Sequence, residues 1–526
     1  MERFLVNLSL FFVIIYFYKV TKKGLHILQL ENYYLDRYLS WMKKHKALIF
    51  RKMSFVIFLP TLLLILSFIF KNKILVFSFF AFEILSLIFM ILKFKNTPEK
   101  KPFVVTARVR RMYFTYLVIF LILITLANIV NYKLILLIVN IFVFFSYFFV
   151  FIVGVINKPI EKIIRRGFIN KAKKKLKDMT NLKVIGVTGS YGKTSTKFIV
   201  NSILSQKYNT LVTPESYNTT MGVVRTINEN LKPIHELFIC EMGAKYVGDI
   251  KEITDIVNPT YGVLTAIGPQ HLDTFKTLDN VKKTKLELID SLPENGIAFV
   301  NWEDPNIRDS DISKKTIKYG LSNEADYYAT NINSNERGSS FDVVLPSGKK
   351  IFIKTKLLGK LNILNIVAGV AVGDTFGLNE DEIKLGIKYI RPVPHRLELK
   401  QNPNGSIVID DAYNSNINGA NMALDVLKSF THKKRVLITP GIVELGDKQN
   451  EINEKFGEKA SESADFIILV GANQTIPIYK GIEKKKFPKN KVFIAKNLNE
   501  ALAKMGEIIT KDTVILFEND LPDNYL

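Results

Sequence analysis

The distribution of apolar residues along the chain constrains its fold more than any other feature. A helix needs about 20 apolar residues to cross about 30 Å of hydrocarbon. Five segments rich in Phe, Leu, Ile and Val come close to this length, and all lie in the first 156 residues: Phe4–Val20, Met53–Phe70, Ile74–Leu92, Met112–Val130 and Leu134–Ile156. Residues 1–156 are therefore predicted to form an α-helical membrane region with five spans. The rest of the 526-residue chain reads as soluble protein and is long enough for a full enzyme.

The basic residues predict the orientation of these spans. The longer connections, Thr21–Lys52 and Lys93–Arg111, carry eight and seven Lys or Arg, whereas the short turns at 71–73 and 131–133 carry two and one. By the positive-inside rule the longer connections are cytoplasmic, which places the N-terminus outside and everything after Ile156 inside. Because the basic residues lie beside apolar segments, the net charge of +23 indicates contact with anionic membrane lipid, and no nucleic acid partner is expected.

Two segments at the edges of the membrane region allow more than one interpretation. The first apolar segment could be a cleaved signal peptide, but only Arg3 precedes it and no small-residue cleavage site follows it, which favours a retained helix. Residues 157–180 form a basic juxtamembrane linker, either an amphipathic helix along the inner leaflet or a solvated connection. The single cysteine, Cys240, excludes an internal disulfide and fits a reducing compartment.

A glycine-rich loop follows the linker. The β-branched run Lys183–Thr188 reads as a buried strand, and a helical pattern continues to Leu204. Between them, a strand–loop–helix order lets backbone N–H groups and the positive helix end face phosphate groups. The strict phosphate-loop pattern is not met, since Val187 stands at its first glycine. The candidate ATP-binding residues are Gly189, Ser190, Gly192, Lys193, Thr194 and Ser195, with Lys193 on the outer phosphates and Thr194 on magnesium.

Two further polar residues follow predicted strands. The strand at 237–240 leads into Glu241, and the strand at 261–267 leads towards His271. Ligands of open α/β sheets collect at the carboxyl ends of strands, so Glu241 and His271 are predicted to face magnesium together. Taken alone, His271 is better explained as a helix-capping or core histidine.

Nine ordered segments carry a family resemblance. They are VTGSYGKTS at 187–195, YNTTMG at 217–222, EMG at 241–243, GPQHLDTF at 268–275, TKLE at 284–287, GKLNILN at 359–365, HRLE at 395–398, DDAYNSN at 410–416 and GIVELG at 441–446. Residues 181–526 thus resemble the Mur ligases, and most closely their D-alanyl-D-alanine-adding branch. The resemblance implies a central ATP-binding α/β domain with a mainly parallel sheet at 181–391 and a smaller C-terminal α/β domain at 392–526.

The resemblance also implies roles for individual residues. Lys193, His271 and Lys285 would be catalytic, with Lys285 carbamylated by carbon dioxide and joining Thr194, Glu241 and His271 around two magnesium ions. The alternative for Lys285 is a surface lysine in a charged helix. The remaining implied residues are Asn362 and Asn365 at adenine, Arg396 and Asp411 at ATP beside the interdomain hinge, Asn218 and Thr219 in a substrate-facing loop, and Tyr413, Asn414 and Asn416 on the amine side.

The chain departs from the family pattern in three places. Leu361 stands where the family usually has histidine, and His395 stands where it usually has glycine. Both positions concern nucleotide geometry. In addition, the predicted membrane region occupies the place of the usual N-terminal domain that holds the UDP-sugar.

The resulting functional hypothesis is an ATP-dependent ligase that forms an amide through an acyl phosphate, in synthesis of the peptidoglycan precursor. The acid would be a small-molecule or lipid-linked donor, the amine an amino acid or dipeptide, and the cofactors ATP and Mg²⁺. A related ligase making a poly-γ-glutamyl or lipid-linked peptide product is the alternative. A nucleotide-driven transporter or sensor is disfavoured, because a motor needs no lysine at the carbamate position.

Overall fold

The structure, a computed structural model, describes residues 2–46, 52–93, 102–129, 131–335, 338–412 and 416–520. It consists of two compact units, the first with the described residues up to Arg166 and the second beginning at Gly167. The predicted limits of the membrane region, linker and two catalytic domains stay predictions.

The described part of the first unit is helical. A 3₁₀ helix, Lys52–Ile57, precedes the third of its α-helices, which are α1 (Glu2–Leu30), α2 (Leu35–Lys44), α3 (Phe58–Phe70), α4 (Lys73–Lys93), α5 (Ala107–Ile129), α6 (Tyr132–Phe144) and α7 (Ser146–Lys177).

Among the described residues, three helices are long and apolar enough to cross a membrane: Glu2–Leu30, Lys73–Lys93 and Ala107–Leu126. The pair α6 and α7 is bent by 98° and counts as a fourth span only if the two helices are taken together. The apolar helix Phe55–Phe70 is shorter and reaches only about 24 Å at 1.5 Å per residue. The prediction of five spans is therefore not confirmed, since apolar composition alone does not reveal a bend or a 3₁₀ start.

Helix α7 runs through most of the predicted linker. Its C-terminal part belongs to the second unit, where Ala172 is fully buried in a cluster with Val223 and Ile227. The Lys175 ammonium donates to the Ile227 carbonyl at 3.0 Å. Residues 167–177 are thus helical and contact the second unit through Ala172 and Lys175.

The described part of the second unit contains two sheets. The larger has nine strands in the order β2-β3-β1-β4-β5-β6-β7-β8-β9, parallel from β2 to β7 and antiparallel through β8 and β9. Its strands are β1 (Lys183–Thr188), β2 (Thr210–Val212), β3 (Leu237–Glu241), β4 (Tyr261–Leu264), β5 (Ile297–Asn301), β6 (Lys315–Gly320), β7 (Tyr327–Asn335), β8 (Gly338–Val344) and β9 (Lys350–Thr355). The helices of this region are α8 (Lys193–Leu204), α9 (Thr220–Asn230), α10 (Asp249–Val257), α11 (Leu272–Phe275), α12 (Leu278–Asp290), α13 (Pro305–Arg308), α14 (Lys360–Thr375) and α15 (Glu380–Lys388).

The smaller sheet has six strands in the order β10-β11-β15-β12-β13-β14, with only β10 antiparallel to its neighbour. Its strands are β10 (Glu398–Gln401), β11 (Ile407–Asp411), β12 (Lys434–Thr439), β13 (Phe466–Val470), β14 (Val492–Ala495) and β15 (Thr513–Glu518). Its helices are α16 (Ile417–Ser429), α17 (Gln449–Ser463), α18 (Ile476–Lys484) and α19 (Leu498–Ile508), with 3₁₀ turns at Gly446–Lys448 and Lys489–Lys491. The predicted fold class, a helical region followed by two α/β domains, is confirmed.

Helices cover both faces of the larger sheet and fix the position of its loops. On one face α8 packs on α14, where Gly369 is a close-approach position: a β-carbon there would lie 2.7 Å from Ile199 Cγ2. On the other face Leu288 of α12 packs in a cluster with Ile253 of α10. Because β1, β3 and β4 are neighbours and parallel, their carboxyl ends and the loops after them lie along one edge.

Candidate active site

The glycine-rich loop after β1 is held tightly against the loop after β4. Gly189 has a φ of 152°, and a β-carbon there would lie 2.0 Å from Thr265 Oγ1. Gly192, with a φ of 79°, caps α8. The Ser190 hydroxyl accepts from the Gly268 N–H at 2.9 Å. The tight turn presents the first N–H groups of α8 at the edge of the sheet, which is the arrangement that binds phosphate.

Lys193 is the first residue of α8, and its ammonium lies over its own loop. It donates to the carbonyls of Gly189 at 2.7 Å and Ser190 at 3.2 Å. Burial lowers the pKa of Lys193 to about 8, Glu241 opposes this shift, and Arg396 adds to it. The loop lysine, the carboxylate at the end of β3 and the hinge arginine therefore lie within electrostatic range of one another.

Glu241 is fully buried at the end of β3. Its Oε1 accepts from the Thr194 hydroxyl at 3.1 Å and from the Asn218 amide at 2.9 Å. Two oxygens bound cis to one Mg²⁺ at 2.0–2.1 Å would be about 3 Å apart, so the Thr194 and Glu241 oxygens fit that ion. In the described residues no three His, Cys, Asp or Glu side chains cluster to hold a metal unaided, and Mg²⁺ commonly completes its shell with waters and phosphates.

Lys197, one turn after Lys193, is a site residue that sequence reasoning missed. Its ammonium lies 3.0 Å from Glu241 Oε2, and both side chains are fully buried. It also donates to the Thr213 carbonyl at 2.8 Å and to the Glu215 carbonyl. The spacing from Lys193 was the only sequence signal, and many surface lysines share it.

His271 is joined to two residues that were not given a role from the sequence. Its Nδ1 contacts Glu444 of the C-terminal domain, and Lys245 donates to the same carboxylate at 3.1 Å. Burial raises the pKa of the Glu444 carboxyl, but the hydrogen bond to His271 and the charge of Lys245 outweigh it and hold the pKa at about 2. An ionised carboxylate only accepts, so Nδ1 carries a proton.

Burial lowers the pKa of His271 itself, which favours the neutral imidazole. With the proton on Nδ1, its Nε2 is the lone-pair atom, the tautomer of a metal-ligating histidine whose other nitrogen is bonded to a carboxylate. His271 does precede α11 in the N-cap position, but its side chain makes no capping hydrogen bond. The capping interpretation is therefore excluded.

Lys285 on α12 is 1% exposed, which excludes the surface-lysine interpretation. Burial, and then the positive charge of Lys193, lower its pKa well below the usual value. A neutral amine is the form that reacts with carbon dioxide, so the environment fits a carbamylated lysine. Asp249, Glu287 and Glu241 also lie within electrostatic range of Lys285.

Asn362 and Asn365 lie in the first turns of α14. Asn362 donates to the Leu358 carbonyl at 2.8 Å, and Asn365 Oδ1 accepts from the Thr196 hydroxyl at 3.0 Å. The Asn365 Nδ2 is buried and has no hydrogen-bond partner among the described residues. Such a group favours a site completed by a ligand, which fits nucleotide binding beside the glycine-rich loop.

The segment joining the two α/β domains carries the residues predicted at the interdomain hinge. His395 has a φ of 59°, the region that favours the glycine usual at this position. Asp411 Oδ1 accepts from the Leu397 N–H at 3.1 Å. Burial raises the pKa of Asp411 to about 6, against the opposing charge of Arg396. The charge of Arg396 thus acts on both the Lys193 ammonium and the Asp411 carboxyl.

The predicted substrate residues are placed unevenly. Asn218 contacts Glu241, while the Thr219 hydroxyl accepts from the Gly222 N–H at 3.3 Å and caps α9. Asn416 caps α16 through its Oδ1 and lines a cleft with His271, Glu444 and Asn519. Tyr413 and Asn414 lie outside the described residues.

Comparison with known protein families matches the two α/β domains separately. Residues 187–373 match the Mur ligase middle domain and residues 395–518 match the Mur ligase, glutamate ligase domain. UDP-N-acetylmuramoyl-tripeptide--D-alanyl-D-alanine ligases are similar: that of Buchnera aphidicola (strain APS) is 31% identical over 62% of this chain and 73% of its own length. The Escherichia coli enzyme is 32% identical over 55% of this chain and 64% of its own length.

Solved structures agree. MurF from Acinetobacter baumannii superposes with a TM-score of 0.62 and 27% identity, covering 68% of this chain and 77% of that chain. MurF from Thermotoga maritima, solved in complex with ADP, gives 0.61 and 26%, covering 68% and 80%.

The fold and site define an ATP-dependent ligase with two α/β domains, in which the second domain contacts the domain that carries the phosphate-binding loop. The similarity to the family models and relatives covers both domains and is not limited to single motifs. The chain belongs to the Mur ligase family.

Proposed function

We propose that this chain attaches D-alanyl-D-alanine to the terminal carboxyl of a UDP-N-acetylmuramoyl-tripeptide on the cytoplasmic side of a membrane. The observation that carries this proposal is the convergence of Lys193, Thr194, Asn218 and Glu241 with Lys285 and the His271–Glu444 pair at one sheet edge. Phosphate-binding, metal-binding and acid-binding groups are what an acyl-phosphate route requires in one place.

The first chemical step activates the acid. A carboxylate oxygen attacks the γ-phosphorus of ATP, the bond to the β,γ-bridging oxygen breaks, and the products are an acyl phosphate and ADP. The Lys193 ammonium and the N–H groups that open α8 offset the charge that repels the two anions. The 213–219 loop, bonded to Glu241 through Asn218, brings the acid beside this charge.

The second step forms the amide. The neutral amine attacks the acyl carbon, the carbon–oxygen bond to phosphate breaks, and the amine proton leaves with phosphate or a base. Water would hydrolyse the acyl phosphate, so it must be excluded. The contacts of Glu444 with His271 and Lys245 hold the C-terminal domain against the middle domain and close this side of the cleft.

Magnesium fits the same residues. The magnesium ions would be held by Thr194, Glu241 and the Nε2 of His271, and a carbamylated Lys285 would add an anionic ligand. When bound, the ions neutralise phosphate charge and polarise the γ-phosphoryl group. The chain's own contribution is to orient the ligands: Lys197 and Asn218 fix Glu241, and Glu444 fixes the His271 tautomer.

A second candidate donor is favoured by the first unit. Three helices among its described residues are long and apolar enough to cross a membrane, and this favours a lipid-linked form of the peptide acid as donor. In this proposal the N-terminus is outside and both α/β domains are cytoplasmic. Reporter fusions at residue 1 and after Ile156 test it, and signals from the same compartment would contradict the proposed topology.

Product mass tests the proposed reaction directly. The full-length protein in lipid nanodiscs is mixed with ATP, Mg²⁺, D-alanyl-D-alanine and either UDP-N-acetylmuramoyl-tripeptide or its lipid-linked counterpart. An amide product from either donor supports the ligase and identifies the donor. ATP hydrolysis without an amide from any acid and amine pair would refute it.

A further inference from the structure

Lys197, a buried lysine on α8, connects Glu241, the proposed Mg²⁺ ligand, to the 213–219 loop. Lys197 lies four residues after Lys193 on the same helix, so one rigid element presents both lysines. The side chains of Lys197 and Glu241 are both 0% exposed. Full burial of charged side chains is uncommon, because an isolated charge is costly to bury and needs a partner of opposite charge.

Lys197 contacts both the end of β3 and the segment after β2. Its ammonium donates to the Thr213 carbonyl at 2.8 Å and to the Glu215 carbonyl, and it forms an ion pair with Glu241 Oε2 at 3.0 Å. With these three partners it is a fixed cross-link between the two segments.

The two oxygens of Glu241 have separate partners. Lys197 takes Oε2, whereas Thr194 and Asn218 both approach Oε1. Oε1, which faces the phosphate-binding helix, is therefore available to the Thr194 hydroxyl, the Asn218 amide and the proposed metal. Oε2 is held by the Lys197 ammonium. This division fixes the rotation of the carboxylate about its side chain.

The segment 213–219 is fastened to Glu241 at both ends. At one end the Thr213 hydroxyl accepts from the Glu241 N–H at 3.1 Å, and at the other Asn218 contacts Oε1. The Asn218 carbonyl also accepts from the Gly243 N–H at 2.7 Å. Between these points Glu215 adopts a φ of 40°, a strained conformation held in place by the Lys197 contact.

We propose that Lys197 is a positioning residue that orients Glu241 for Mg²⁺ and transmits metal–nucleotide binding to the 213–219 loop that meets the acid substrate. This inference rests on the proposed function and deepens it, because it names how the nucleotide and acid sites act as one unit. Partners that orient a metal ligand commonly change metal affinity by about 10- to 100-fold when removed.

The test compares Lys197→Met with Lys207→Met in the full-length protein in nanodiscs. Lys207 is an exposed lysine whose ammonium donates to the Gly377 carbonyl at 2.6 Å, so the control removes the same group. Binding of Mn²⁺ in the presence of ADP is followed by electron paramagnetic resonance, and hydrogen exchange reports protection of residues 213–219. Circular dichroism checks folding, and Lys197→Gln replaces Lys197→Met if the latter does not fold.

Lys197→Met is expected to weaken Mn²⁺ binding at least tenfold and to abolish the rise in 213–219 protection that Mn²⁺ and ADP cause in the wild type. Lys207→Met is expected to behave as wild type. Wild-type Mn²⁺ affinity in the Lys197 variant, or tighter binding through relief of charge repulsion, would overturn the proposal. Failure of the wild type to bind ADP would instead contradict the proposed function.

Discussion

Gly189→Ala tests the glycine-rich loop at its tightest point. The new β-carbon would lie 2.0 Å from Thr265 Oγ1 and 2.8 Å from the Ala266 backbone nitrogen. The φ of 152° is also one that alanine rarely adopts. The Thr265 hydroxyl is held by hydrogen bonds to the Thr188 and Tyr191 carbonyls, and the Ala266 nitrogen belongs to the backbone of the loop after β4, so neither atom can move alone.

The magnitude follows from the distances. Ordinary contacts of a β-carbon begin near 3.4 Å, so the loop must move by about 1.4 Å from Thr265. A misplacement of about 1 Å at a reacting centre costs about 100-fold in rate. We therefore expect kcat/KM for ATP to fall by about 100-fold or more, while the helices on both faces of the sheet keep the domain folded.

The assay is calorimetric titration with ADP and Mg²⁺, together with the rate of product formation. Gly506→Ala is the matched control, because a β-carbon there meets nothing within 4 Å and the residue lies inside α19. That change is expected to be neutral or to stabilise the protein by about 0.5–1 kcal/mol. Wild-type ADP affinity in Gly189→Ala would refute the account of the loop.

Three further predictions follow from the site. Lys285→Ala is expected to abolish turnover and to regain part of it with added short carboxylates, and wild-type rates without any additive, measured by product mass, would contradict its assignment. Because the pKa of Lys193 is about 8, its ammonium loses a proton as the pH rises, and the affinity for ADP, measured by calorimetry, is expected to fall between pH 7 and 9. The ADP affinity of Lys193→Met is expected to lack this pH dependence. Glu444→Gln removes two charge-assisted contacts, of which the one to Lys245 is partly exposed. It is expected to raise KM for ATP about tenfold and to increase ATP hydrolysis without amide formation. An unchanged ratio of amide formed to ATP hydrolysed would oppose a closing role for Glu444.

Local pattern was enough to predict much of the middle domain. The run Lys183–Thr188 forms β1, and Glu241 stands at the end of β3 in register with Val187. A strand followed by glycines and a helix has few foldable solutions, and parallel strands bring their carboxyl ends to one edge. Residues at such ends are therefore predictable from sequence without knowing any contact in detail.

Contacts across long sequence separations were not predictable in the same way. His271 meets Glu444, 173 residues later, and nothing in either segment specifies the pairing. Lys197 reads as one more lysine in a basic chain until the fold buries it against Glu241. The number of spans stays a prediction for a related reason, because hydropathy measures how apolar a segment is but not whether its helix bends, as it does between α6 and α7.

The carboxylates of Glu241 and Glu444 differ in the domains that supply their partners. Glu241 takes its partners from the middle domain alone, so its orientation exists before the domains meet. Glu444 belongs to the C-terminal domain but bonds to His271 and Lys245 of the middle domain, so separating the domains would remove the acceptor that fixes the proton on Nδ1. If His271 holds Mg²⁺ as proposed, its tautomer is set for the metal only while Glu444 contacts it. On that proposal, activation of the acid and exclusion of water depend on the same contact, which protects the acyl phosphate from the moment it can form.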